Sequence, residues 1–105
     1  MNKYQNIVEK IHASPFKLVI VSSGGGTNAI SSLLQVPGAS NTILESYIPY
    51  SKESMNEFLN SKPDKYCSLD TCLSMAANAY KKSRKIDPQS KSKYLLGISI
   101  TANLS

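Results

Sequence analysis

At 105 residues, 41% of them hydrophobic, the chain has room for one domain with a modest core and no more. Its net charge of +5 invites a nucleic-acid reading, but the charge is concentrated in Lys81, Lys82, Arg84, Lys85, Lys91 and Lys93 and the remainder is close to neutral. No aromatic residue interleaves with that run, so it reads as a solvated helix end and loop, and nucleic acid is not the expected partner.

Residues 2–13 have helical spacing, with Ile7, Val8 and Ile11 on one side and Lys3, Gln5 and Lys10 on the other. Ser14-Pro15 ends this helix, because the residue before proline is driven out of the helical region. His12 lies beside the apolar stripe and reads as a surface or partly packed residue rather than a catalytic base. Leu18 to Val21 is an unbroken, β-branched-rich run, the mark of a strand buried on both faces of a parallel sheet. A glycine-rich turn, Ser22 to Gly26, follows, and helical spacing resumes from Thr27 to Leu34.

Pro37-Gly38 marks the next turn, and Thr42 to Tyr47 alternates as a second strand. Ser51 is placed to cap a helix over Lys52 to Leu59, with Glu53 in its first turn. Ser68 is a second cap, opening a long helix whose apolar side is expected to carry Leu69, Cys72, Leu73, Ala76, Ala79 and Tyr80. Asp87 to Ser92 is a polar connection, and Tyr94 to Ile100 is the third strand. Strand, glycine turn and helix in this order predict an α/β fold with a parallel sheet. No helical pattern follows the last strand, so its sheet face is expected to lack a cover and the chain to self-associate as a homo-oligomer.

The chemistry on offer is sparse. Cys67 and Cys72 make neither a disulfide framework nor, with His12 as the one histidine, a zinc site, and they read as reduced thiols. No metal or other cofactor is expected. Lys17 to Val21 is too short for a signal or membrane segment, which predicts a soluble, cytoplasmic protein. Ser22 to Thr27 lacks the Gly-Lys-Ser/Thr of a nucleotide-binding loop, but glycines before a helix start let backbone N–H groups approach an anion. Tyr50 and Ser51 offer a phenol and a hydroxyl at another helix start.

Three segments taken together resemble the CinA C-terminal domain, the nicotinamide-nucleotide amidase family. That family carries Glu-Ser-Cys-Thr-Gly-Gly after a buried strand, then a short helix and Val-Pro-Gly-Ser/Ala-Ser. Here Ser22 to Thr27 is followed at the same spacing by Val36-Pro37-Gly38-Ala39-Ser40. A family strand ends in Tyr-Ser, with a lysine after three further residues. Ile48-Pro49-Tyr50-Ser51 is similar, followed by Lys52-Glu53-Ser54 and then Met55. Ser99-Ile100-Thr101-Ala102-Asn103-Leu104 resembles the late strand and its Thr-Gly turn, with Thr-Ala as in the eukaryotic branch.

The resemblance covers residues 16–104 of a single domain spanning 1–105, and only the front of the family domain. It implies a three-layer α/β/α fold, incomplete at the C-terminus, and hydrolysis of nicotinamide mononucleotide to nicotinic acid mononucleotide and ammonia. By position, Ser23 is the nucleophile and Tyr50 lines the site, with Gly24, Gly25, Gly26, Thr27, Ser51 and Thr101 toward the substrate. The family's base position holds Met55, which takes no proton, and its glutamate has become Ser22. The segment with the family's phosphate-facing arginine lies past Ser105. General-base help alone is worth about 10²–10⁴-fold, so the resemblance implies an impaired or inactive enzyme that keeps at most weak nucleotide or phosphate binding. Two alternatives stand beside it: an active amidase in which Lys52 or a partner chain serves as base for Ser23, and an interaction module built on residues 81–93. Restoring a lysine at position 55 is expected to raise activity. Gly25 is the glycine expected to be intolerant of a β-branched side chain.

Overall fold

A computed structural model describes residues 4–102. Four helices and three strands follow one another as α1 (Gln5–Ala13), β1 (Lys17–Ser23), α2 (Thr27–Gln35), β2 (Ile43–Tyr47), α3 (Lys52–Leu59), α4 (Leu69–Ile86) and β3 (Leu95–Thr101). Short 3-10 turns at Ala39–Asn41 and Ser92–Tyr94 lead into β2 and β3. The strands form one parallel sheet in the order β2-β1-β3, with β1 in the middle. Residues 2 and 3 of the expected first helix lie outside the described residues.

The unbroken apolar run of β1 is explained by its two neighbouring layers. Leu18 and Ile20 pack with Ile30 of α2, while Val19 and Val21 pack with Met55 and Leu59 of α3 and Met75 and Ala79 of α4. Side chains alternate along a strand, so one β1 residue in two serves each layer. This is an α/β fold with helices on both faces of a parallel sheet, as the sequence pattern predicts. No helix among the described residues is long and apolar enough to cross a membrane.

Both expected helix caps form. The hydroxyl oxygens of Ser51 and Ser68 accept from the Ser54 and Thr71 amides, each over 3.1 Å. Along α4 the buried side chains are Thr71, Met75, Ala79 and Ser83, at strict four-residue spacing. The expected apolar side is therefore displaced: Leu69 and Leu73 are 74% and 59% exposed. Apolar periodicity alone misplaced it because small and polar residues make the contact. The reason lies at Gly97 of β3, where a Cβ would stand 2.3 Å from the Ala76 carbonyl oxygen and 2.3 Å from the Tyr80 nitrogen. Helix backbone rests directly on strand backbone there, and large side chains are turned aside.

His12 also departs from expectation. It is buried at 5% exposure, and its ring joins three segments. Nε2 lies 2.9 Å from the Leu33 carbonyl, and Nδ1 lies 2.8 Å from the Thr42 hydroxyl. A carbonyl only accepts, so Nε2 carries a proton and, in the neutral ring, Nδ1 accepts from Thr42. Leu33 belongs to the last turn of α2, whose carbonyls have no amide donor within the helix. The imidazole thus ties α1 to the end of α2 and the start of β2. Gly38, at φ 97° and ψ 1°, has the backbone of the third residue of a type II turn after Pro37, and its Cβ position lies 3.3 Å from the His12 Cβ. The Val36 to Ser40 segment is accordingly a structural turn at the end of the sheet where the strands begin.

Candidate functional site

Ser23 and Thr101 close β1 and β3 and face each other across the ladder. The alternation that sends Val19 and Val21 toward α3 and α4 sends Ser23 the same way, whereas Ser22 points toward α2. Ser23 Oγ donates to Thr101 Oγ1 over 3.0 Å. Thr101 Oγ1 donates in turn to the Tyr66 carbonyl over 3.4 Å. The Ser23 proton is therefore directed at a hydroxyl and, through it, at a peptide oxygen. Neither is a base able to take a proton from a serine at neutral pH.

These residues border a cavity of ≈ 240 Å³ lined by Ser23, Tyr50, Lys52, Met55, Tyr66, Cys67, Thr101 and Ala102. The expected site residues Ser23, Tyr50, Lys52 and Thr101 are brought together at this crevice, as is Met55. It sits beyond the carboxyl ends of parallel strands, where open α/β sheets bind their ligands. Lys52 Nζ stands 5.8 Å from the centroid of the Tyr66 ring. Met55 presents one side to the cavity but is only 2% exposed and belongs to the core with Val19, Val21 and Met75.

The remaining expected residues do not line this cavity. Ser51 spends its hydroxyl oxygen on capping α3. Gly24 to Thr27 form the turn into α2, and each glycine has its own reason. Gly24 has φ 109° and a Cβ position 3.1 Å from the Ala102 carbonyl oxygen. At Gly26 a Cβ would stand 2.3 Å from Ile100 Cγ2 and 2.9 Å from Ser22 Oγ. Gly25 is exposed, and its φ lies outside the left-handed region. The conformational demand expected at Gly25 thus falls on Gly24, and the demand for close approach falls on Gly26. The N-cap of α2, Gly26, makes no side-chain capping bond; Ala29 N–H donates to the Gly26 carbonyl over 3.2 Å, and the Thr27 and Asn28 amides keep their donors and the positive end of the helix dipole toward the turn.

Three lining residues, Tyr66, Cys67 and Ala102, were not foreseen as site residues. Tyr66 and Cys67 come from the polar link between α3 and α4, whose only sequence signal was its place just before the Ser68 cap. Cys67 is a free, exposed thiol, while Cys72 is half-buried with Sγ 3.0 Å from the Ser99 hydroxyl. A larger recess of ≈ 510 Å³ lies between the end of α3 and the start of α4, near Asp64, Lys65 and Asp70. Two of its four hydroxyls are already committed, Ser68 to the α4 cap and Thr71 to the Lys65 carbonyl. The smaller crevice is the one that lies at the carboxyl ends of β1 and β3.

Beside β2, burial, helped by the Glu45 carboxylate that its hydroxyl contacts, pushes the Tyr47 phenol up to about 12. Lys82 Nζ lies 4.9 Å from the centroid of the Tyr47 ring and 5.8 Å from that of Phe58. Among the described residues no group of three or more His, Cys, Asp or Glu side chains is placed to hold a metal ion. Comparison of the chain with protein-family models, with curated proteins and with solved structures finds no match.

Proposed function

We propose that the chain is a CinA-like domain, related to nicotinamide mononucleotide amidohydrolases, that has kept the crevice but lost the chemistry. What supports the reading is that a strand-end serine, a Tyr at the following strand exit and a Thr on the third strand line one crevice. The observation that carries the loss is the direction of the Ser23 proton. It is given to Thr101 and relayed to a carbonyl, so no general base activates the hydroxyl. Met55, at the base position, is held in the core.

The crevice then serves to bind. Its ≈ 240 Å³ falls below the range of about 300–1,000 Å³ usual for small-molecule pockets, so it would enclose part of a mononucleotide rather than all of it. The open amides at the start of α2 favour a negative group alongside. Purified chain incubated with nicotinamide mononucleotide should release ammonia no faster than buffer, while titration at millimolar ligand should shift the amide signals of residues 23–28. Ammonia release at an ordinary enzyme rate, abolished by Ser23→Ala, would refute the inactive reading. A second reading has one observation in its favour: Lys52 lines the same cavity as Ser23. In that case Lys52→Met should abolish the activity as completely as Ser23→Ala does.

A further inference from the structure

We propose that the end of the molecule opposite the crevice docks the phosphate backbone of single-stranded nucleic acid. Six of the twelve cationic residues and one of the seven carboxylates fall within residues 81–93, so this segment by itself accounts for the net charge of +5. The other six cations and six carboxylates cancel. Such asymmetry creates a local positive field on an otherwise neutral molecule.

The fold carries the segment to one end. Tyr66, just before α4, meets Thr101 at the end of β3. Further along, Cys72 meets Ser99, and Ala76 and Tyr80 meet Gly97. After the last turn, Asp87 pairs with Lys17 at the start of β1 over 3.3 Å. Helix α4 therefore runs antiparallel to the strands, and the last turn of its cationic half lies at the edge where they begin, while Lys82 is turned aside onto Tyr47 and Phe58. A seven-residue strand separates that edge from the crevice by about 20 Å. This inference does not depend on the function proposed above.

Ordinary helix electrostatics explains only part of the charge. Arg84 and Lys85 occupy the last turn of α4, where cations offset the helix dipole. Lys81 and Lys85 are exposed one turn apart, and the residues three and four positions before and after the pair are Ala77, Asn78, Pro88 and Gln89. Like charges at this spacing oppose helix formation. Among the described residues Lys81, Lys85 and Lys91 have no carboxylate partner, and the one nearby carboxylate, Asp87, is taken by Lys17. A polyanion would relieve the repulsion.

Sequence order hid the aromatic component. Phe16, just before β1, packs edge-on against Tyr94 with centroids 5.5 Å apart and planes at 77°, and Lys93 Nζ lies 5.0 Å from the Tyr94 centroid. Phe16 remains 37% exposed beside the basic track. A ring there can stack an unpaired base while the lysines follow the backbone. A membrane surface fits less well, because the exposed leucines of α4, Leu69 and Leu73, lie on its first two turns rather than beside the lysines, where Ile86 is the one exposed large apolar residue of the helix.

The test is fluorescence anisotropy of a labelled single-stranded oligonucleotide, titrated with the purified chain at several KCl concentrations. Three to four phosphate contacts at about 0.7 per phosphate give a loss of roughly 20- to 50-fold in affinity between 50 and 200 mM salt. Lys81→Gln/Lys85→Gln should flatten the log–log slope by about 1.4, and Phe16→Leu should weaken binding about fivefold or more. Lys62→Gln/Lys65→Gln, the same charge change near the crevice end, should leave the slope unaltered. Circular dichroism and thermal melts confirm that the variants remain folded. Absence of binding at 50 mM salt, an unchanged slope in the Lys81/Lys85 variant, or binding to phosphatidylserine-containing vesicles without binding to the oligonucleotide would each overturn the proposal.

Discussion

Replacing Gly97 by alanine tests whether α4 rests on β3 backbone to backbone. The new Cβ would stand 2.3 Å from Ala76 O, 2.3 Å from Tyr80 N and 2.8 Å from Tyr80 Cα. All three are main-chain atoms, so no side chain can rotate away. Ordinary contact needs about 3.5 Å or more, and α4 must withdraw by about 1 Å along its central turns. Overpacking of this sort costs about 1–3 kcal/mol and occasionally more. With rigid backbone on both sides, the top of that range, about 3 kcal/mol, is expected. For a chain of this length each kcal/mol shifts Tm by about 4–8 °C, so Gly97→Ala should melt about 12–24 °C below the parent, followed by circular dichroism at 222 nm. Gly25→Ala is the control, an exposed glycine outside the left-handed region, and should change Tm by no more than about 4 °C. A Gly97→Ala protein melting within about 3 °C of the parent would refute the packing argument.

Other outcomes follow from the same contacts. His12→Ala leaves the Thr42 hydroxyl and the Leu33 carbonyl unpaired inside the fold and should cost about 2–4 kcal/mol in urea unfolding. Met55→Lys places an amine at a 2% exposed position among Val19, Val21 and Met75. The variant should lose about 2–4 kcal/mol, and parental stability would mean that residue 55 opens to the crevice instead. Tyr47 holds its proton up to about 12 in the fold but only to about 10 when unfolded. Stability should therefore fall between these pH values, and Tyr47→Phe should lessen the fall. The Ser90 hydroxyl, helped by Lys17, holds the Asp87 carboxyl below the usual range against the opposing pull of burial. Its contribution is present above about pH 4 and lost as pH falls further, so the stability gap between the parent and Asp87→Asn should narrow in acid.

The element order was legible because each element carries its own signal. An unbroken, β-branched-rich apolar run is the pattern of a strand covered on both faces, and Ser51 and Ser68 stand where an N-cap hydroxyl is needed. The orientation of α4 was not legible, because its contact with the sheet is decided by a glycine 20 or so residues away in sequence. Small side chains at Ala76 and Ala79 look like half of an apolar stripe until Gly97 is seen beneath the helix. His12 was misread for a similar reason: its acceptors and donors, Leu33 and Thr42, are distant in sequence. The crevice was half legible. Ser23, Tyr50, Lys52 and Thr101 lie at strand ends and a helix start, which parallel topology must gather. Tyr66 and Cys67 sit in a link whose path the local pattern does not determine.

The serine pair at the end of β1 shows how much one residue of register decides. Ser22 and Ser23 are chemically identical, yet the strand sends them to opposite layers. Ser22 is fully buried beneath Gly26, and its hydroxyl has no partner among the described residues. Ser23 opens on the crevice and hands its proton to Thr101. A slip of one position would put the unpaired hydroxyl in the crevice and remove the link to β3. The position of Ser23 therefore opens it to the crevice, while its partner makes it a structural donor that fastens β1 to β3. For that role to change, the acceptor would have to change, and a base would have to come within about 3 Å of Oγ. Lys52 is the nitrogen base that lines the cavity, and its Nζ is drawn to the Tyr66 ring instead. In the second, active reading, that competition between ring and hydroxyl would decide whether Ser23 gains a base.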